Sequence, residues 1–232
     1  METKEIMYYE EPGPSNTDQI LELARKRVEA LGIRHVIMAA QTGFAVKKFL
    51  GLARGLDVNI VAVTNAKGAK MAVSNLYSKY EEPRRIKEDC LKQNAQYLPV
   101  SISDEDRACF EREGVKVFYV PDVFGIGGLG PEARREATSK LNRFLPGHLR
   151  PLDIETGEDL SLFNIISMGF RVLVGITVIA VNNGLVPEGE TALSIAGTGF
   201  AGGGADTAAI LRVGRTARGC LIREILGFPK LK

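Results

Sequence analysis

The chain has no tryptophan, three cysteines and two histidines among its 232 residues. Cys90, Cys109 and Cys220 lie far apart and form no C-x-x-C pair. That spacing argues against a zinc ribbon or a disulfide framework and implies reduced thiols in a cytoplasmic protein. His35 sits in an apolar run and His148 in a Pro/Gly-rich turn, so no His-based metal cluster or catalytic triad is expected. Charge of one sign is missing too. The formal net charge is +2, with no basic face interleaved with aromatics, which gives no reason to expect nucleic acid as a partner. The longest apolar run, Val172 to Val181, is about half of the ~20 residues a membrane-spanning helix needs. The opening METKEIMYYEEPGPSN lacks the apolar core of a signal peptide. A cytoplasmic location without a membrane partner is therefore the expectation. No paired carboxylates, nucleophile elbow or Walker loop is present. Glu22/Lys26 and Glu132/Glu136 have the spacing of ordinary helix-surface pairs.

What is present is ordinary globular composition, 45% hydrophobic and 25% charged, in a length suited to one domain with a sizeable core. Residues 33–65 carry the clearest signal. His35 to Ala40 reads as a strand buried on both faces, followed by a turn at Gln41-Thr42-Gly43-Phe44. Val46, Phe49, Leu50 and Ala53 then form a helical stripe that Gly55 ends, and Val58 to Val63 is a second buried strand. This is a strand-helix-strand unit with parallel strands and a right-handed crossover. Upstream, Ile6 to Tyr9 is a short strand, and Asn16 or Thr17 caps a helix with Ile20, Leu21, Ala24, Val28 and Leu31 on one face, closed by Gly32. Downstream, a solvated helix runs from Glu81 to about Gln96, and Ser103 caps a short helix through Glu113. Val115 to Val120 is a third strand, and Pro131 to Phe144 a helix followed by loop. The apolar segment after Ser161 favours a buried helix stopped by Asn183-Gly184. Thr191–Ala196, Thr207–Val213 and Gly219–Leu226 read as strands, the last two joined too tightly to be parallel.

Three glycine-rich loops follow strands, near Thr42, Gly127 and Gly199. At the first, the unpaired N–H groups opening a helix could receive an anionic oxygen, with the Thr42 hydroxyl as a further donor. The plainer reading makes Thr42 a helix cap and Gly43 a turn residue. Gly197-Thr198-Gly199-Phe200-Ala201-Gly202 matches G-x-G-x-x-G, yet too little chain follows for a dinucleotide-binding unit. A glycine-dense loop ending in Asp206 and Thr207 still lets a ligand approach the backbone, or is simply a turn. In open α/β sheets, ligands bind beyond the carboxyl ends of such strands.

The run VIMAAQTGFAVKKFLGLARGLDVNIVAVTN resembles the first strand-helix-strand of the pyruvate kinase C-terminal α/β domain. Nearly the whole chain resembles a stand-alone family of such domains, found mainly in archaea and bacteria. The match lies in Glu11-Pro-Gly-Pro-Ser-Asn-Thr17, in Ile176 to Pro187, and in Gly204-Ala-Asp-Thr207 followed by Ala-Ile-Leu-Arg212. Residues of about 70–100 lie outside the resemblance, as an insertion into a single 1–232 domain. The resemblance implies a three-layer, doubly wound, mostly parallel sheet with antiparallel strands at the C-terminal end. It also implies bound flavin mononucleotide (FMN), and no pyruvate kinase activity, because the kinase active site belongs to a separate barrel domain.

Carried over by position, Gln41, Thr42, Gly43, Phe44 and Ala45 approach the phosphate, with Thr64, Asn65 and Lys67 beside it. Gly197, Thr198, Gly199, Gly204, Asp206 and Thr207 line the opposite wall, and Gly127 joins from the middle loop. Two positions depart from the pattern: Ala45 stands where the family has a hydroxyl, and Phe44 where pyruvate kinase has a cation. Loss of a charge-assisted donor weakens a dianion site unless Lys47 or Lys67 compensates. Three functional expectations follow. The first is an FMN protein, acting as an oxidoreductase if the flavin does chemistry. The second is a regulatory module that takes a phosphorylated metabolite at Thr42-Gly43. The third is a homo-oligomeric scaffold in which Tyr77, Tyr80 and the 70–100 insertion make subunit contacts.

Overall fold

A computed structural model of the chain describes residues 5–120, 163 and 165–230. Its centre is a seven-stranded sheet in the order β1-β9-β8-β7-β2-β3-β6. The strands are β1 (Met7–Tyr9), β2 (His35–Ala39), β3 (Asn59–Thr64), β6 (Lys116–Tyr119), β7 (Thr191–Ala196), β8 (Thr207–Arg212) and β9 (Leu221–Pro229). Only β8 runs against the rest, pairing antiparallel with β7 and β9, while every other neighbouring pair is parallel. The mixed C-terminal end expected from the short connections is thus present.

The apolar runs dictate the layers. Val36, Ile37 and Met38 of β2 are fully buried, as a strand covered on both faces requires. One face carries α1 (Thr17–Leu31), α2 (Phe44–Leu52) and α4 (Asp104–Arg112), which supply Ile20, Leu21, Phe49 and Phe110 to the larger core cluster. The other carries α5 (Met168–Asn182), whose Phe170, Leu173, Ile176 and Ile179 build two smaller clusters. This is the three-layer, mostly parallel α/β arrangement the sequence implied. The β-branched Val172–Val181 run is helical because burial on one sheet face outweighs a propensity cost of a few tenths of a kcal/mol per residue.

Several boundaries move. The second helix ends at Leu52 with Ala53 as its cap, ahead of Gly55. The helix α3 (Glu81–Lys92) stops at Gln93, because Asn94 turns into the left-handed region at φ 56°. Residues 66–102 hold a two-stranded antiparallel sheet of β4 (Lys70–Ala72) and β5 (Tyr97–Pro99), which no alternation in the sequence announced. The expected 131–144 helix, the loop after it and Gly127 lie outside the described residues. Among the described residues, no helix is long and apolar enough to cross a membrane.

Candidate functional site

After β2 the chain turns through α2 toward β3, while after β7 it turns the other way toward β8. Because β2 and β7 are parallel neighbours, their connections diverge from one point at the carboxyl edge of the sheet. Such a point leaves a crevice between the departing loops. Gln41 to Ala45 leave β2 there, and Gly197 to Asp206 leave β7.

The turn after β2 is not capped as the plainer reading had it. Gly43, not Thr42, is the N-cap of α2, and no side chain bonds to the first turn. Gly43 is required at this position. Its φ is 80°, and a Cβ would stand 2.7 Å from the Phe110 ring. The amides of Phe44, Ala45 and Val46 find no acceptor among the described residues, although Ala45 and Val46 are buried. Thr42 and Phe44 face outward, and the Lys48 ammonium lies 5.0 Å from the centre of the Phe44 ring.

The cations expected to strengthen an anion site are engaged elsewhere. Lys47 reaches Asp106 at 2.8 Å, and the bond holds that carboxyl below its usual range. Lys67 reaches Asp104 at 2.7 Å, and Lys48 reaches Asp18. Thr64 and Asn65 stand at the end of β3 but turn toward their neighbours. The Thr64 hydroxyl donates to the Gln41 carbonyl at 3.4 Å and accepts from Ile102 N–H at 3.2 Å. The Asn65 amide donates to the Val100 carbonyl at 2.7 Å.

Beside this turn, the side-chain amide of Gln41 lies between two glycines of the β7–β8 loop. A Cβ on Gly199 would be 2.6 Å from Nε2, and one on Gly203 3.1 Å from Oε1. Gly197 and Gly204 serve a different end, because a Cβ on Gly197 would fall on the Gly204 carbonyl oxygen. Beneath them is Asp206, fully buried. It accepts from Thr198 N–H at 3.1 Å and from the Thr207 hydroxyl at 2.8 Å. Burial pushes its carboxyl up to about 6 despite those donors, to which the Gly13 amide adds. The Thr198 hydroxyl is near enough to help hold the charge but meets no partner in good hydrogen-bond geometry. The buried Tyr9 hydroxyl also lacks a partner among the described residues, and burial followed by the Asp206 charge keeps it protonated.

The insertion is not an appendage. Tyr77 N–H donates to the Phe200 carbonyl at 2.8 Å and the two rings lie 5.7 Å apart. A side chain on Gly202 would meet Ile86 of α3, and Glu82 of α3 accepts the Ser15 hydroxyl at 2.8 Å. Residues 66–102 therefore lie over the β7–β8 loop as a cover. Tyr77 and Tyr80, expected at subunit contacts in the scaffold reading, lie against each other, and Tyr77 against Phe200, within the chain.

Sequence reasoning missed Thr17, whose buried hydroxyl accepts Ala205 N–H at 3.0 Å, and Gly169, on which a Cβ would strike Thr207. Thr17 carried only a cap signal, and Gly169 none. Among the described residues, no cluster of three His, Cys, Asp or Glu could hold a metal ion. No family model matches the chain.

Proposed function

We propose that the protein binds a phosphorylated ligand at the divergence of β2 and β7, with the phosphoryl group on the opening turn of α2. The observation that carries this reading is the set of three unpartnered amides, Phe44, Ala45 and Val46, two of them on buried residues. The N–H groups that open a helix have no partner within it, so this turn has donors to offer an outside acceptor. Peptide dipoles give that turn partial positive charge, which an anion satisfies better than water does.

On the resemblance to stand-alone pyruvate kinase C-terminal-like domains, the ligand is FMN, which would supply redox chemistry and make the protein a flavin-dependent oxidoreductase. The chain's own part is to bind and orient. The α2 amides take the phosphate, and Gln41 and the Gly199–Gly203 loop bound the adjoining space. Lys47 and Lys67, paired to aspartates, add little charge, so the amides carry most of the anion's binding.

A second reading is a regulatory module for a phosphorylated metabolite, without pyruvate kinase activity. It is favoured by the Gln41 side chain, which takes up the space beside Gly199 and Gly203, while Thr42 and Phe44 are exposed. Titration with FMN, followed by flavin fluorescence, and with fructose 1,6-bisphosphate, followed by thermal shift, separates the two. Thr42→Glu, which sets a carboxylate against the same amides, should abolish whichever binding occurs. Equal affinity in that variant, or no binding of either compound to the wild type, overturns the proposal.

A further inference from the structure

Residues 66–102 leave the main sheet and return to it at one place. At that base the Asn65 side-chain amide donates to the Val100 carbonyl at 2.7 Å, and Gly68 N–H to the Ser101 hydroxyl at 3.0 Å. Val100 N–H donates back to the Ala69 carbonyl at 2.9 Å. Beyond the base the segment bonds to itself. Among the described residues β4 pairs only with β5, and Val73 N–H donates to the Gln96 carbonyl at 2.9 Å. Val73, Leu76 and Tyr80 are buried, yet they belong to none of the three clusters that make the core of the sheet. Of the twelve residues of α3 only Pro83 is buried. The segment is a small body of its own, and displacing it disturbs little of the main core.

Its far end is fastened mainly by polar bonds. Glu11 accepts Glu81 N–H at 3.1 Å, at the first turn of α3. In return, Glu82 of α3 accepts the Ser15 N–H at 3.2 Å and the Ser15 hydroxyl at 2.8 Å. Each side thus gives one carboxylate and receives one. A Cβ on Gly13, between Glu11 and Ser15, would strike the Glu82 carboxylate, so only glycine lets the two pieces meet this closely. The Tyr77 bond to Phe200 and the Ile86 contact with Gly202 complete the seam. The carboxylate bonds are exposed, and water competes for each of them.

We propose that residues 66–102 are a hinged lid over the β7–β8 loop, pivoting at the Asn65–Gly68 base and latched shut by Glu11 and Glu82. A pivot where two chain segments enter together, closed at the far end by bonds that water can replace, lets a body swing without unfolding. Gly68 supplies the turn at the pivot, in the left-handed region at φ 76° with open space around it. The loop beneath carries Gly199 and Gly203, against which Gln41 lies, so an open lid admits a ligand to that side of the site. The gating rests on the carboxyl-edge reading given above. The opening itself does not.

Hydrogen exchange of the full chain, resolved by amide, tests the opening in Glu11→Ala and Glu82→Ala. Glu11 is exposed, and neither residue belongs to a core cluster, so both variants keep the fold. The Tyr77 amide touches neither carboxylate but crosses the seam, and it should quicken roughly fivefold in each variant. Val73, bonded inside the lid, should quicken by less, and β2 and β3 should keep the wild-type rate. An unchanged Tyr77 amide overturns the proposal, because Glu11 is then only a helix cap. So does a Val73 amide as fast as Tyr77, which means unfolding in place, or quickening that reaches β2 and β3. Association rates of FMN and fructose 1,6-bisphosphate read the gating. Whichever binds should associate faster with the Glu11→Ala protein than with the wild type, and an equal rate overturns the gating. If neither compound binds, gating falls with the carboxyl-edge reading, while exchange at Tyr77 still decides the lid.

Discussion

The Thr207 hydroxyl donates to the buried carboxylate of Asp206 across 2.8 Å, at the point where β8 leaves the glycine loop. It is one of few groups supporting that charge, and burial dominates the balance, raising the carboxyl to about 6. A carboxyl whose folded pKa lies above its unfolded value holds its proton more tightly in the fold. Its contribution is therefore most favourable at low pH and is lost as pH rises from about 4 to about 6. The difference, about two pK units in a fully buried group, corresponds to roughly 3 kcal/mol. Asp206→Asn should remove this dependence. Urea denaturation at pH 4 and pH 7 checks it: the variant should gain on the wild type as pH rises, and parallel curves would refute the assignment.

Thr207→Val keeps the shape and deletes the donor. The carboxylate then loses a hydrogen bond to its charged form, which costs about 1.5–3 kcal/mol near neutral pH. The loss should shrink at pH 4, where the carboxyl is protonated. The same denaturation series measures both.

Gly169 stands near the start of α5 with no room for a side chain, because a methyl would strike the Thr207 hydroxyl and approach Asp206. An alanine ordinarily favours a helix over glycine by about 1 kcal/mol. Here overpacking at a buried contact should outweigh that, giving a net loss of about 1–3 kcal/mol. A Gly169→Ala protein as stable as the wild type would mean that this contact yields.

The cover formed by residues 66–102 is fastened to the β7–β8 loop through Tyr77 and Phe200. Phe200→Ala removes the ring contact, worth about 0.5–1.5 kcal/mol beyond its buried area. Hydrogen exchange should quicken at amides of β4, β5 and α3 while those of β2 and β3 stay protected. Uniform quickening across the sheet would show global destabilisation instead.

Ser167 caps α5 by accepting the Phe170 N–H at 3.0 Å, and it is fully buried. Ser167→Ala should cost about 1 kcal/mol, read as a lowered denaturation midpoint with an unchanged slope.

Much of this architecture follows from local chemistry that the sequence displays openly. Val36-Ile37-Met38 and Val61-Ala62-Val63 have no polar residue to offer water, so they become central parallel strands. Gly32 ends α1 in the left-handed conformation, and Ser103 caps α4 by accepting Asp106 N–H. Each of these outcomes is settled within a few residues of chain. Tertiary structure alone decided the rest. The β4–β5 pair is two three-residue strands whose alternation is too short to register. Gln41 meets Gly199 and Gly203, and Thr17 meets Ala205, only because β2, β7 and α1 converge at one edge. Sequence sets what each segment buries. Which distant groups then face one another depends on strand order, and strand order is a property of the assembled sheet.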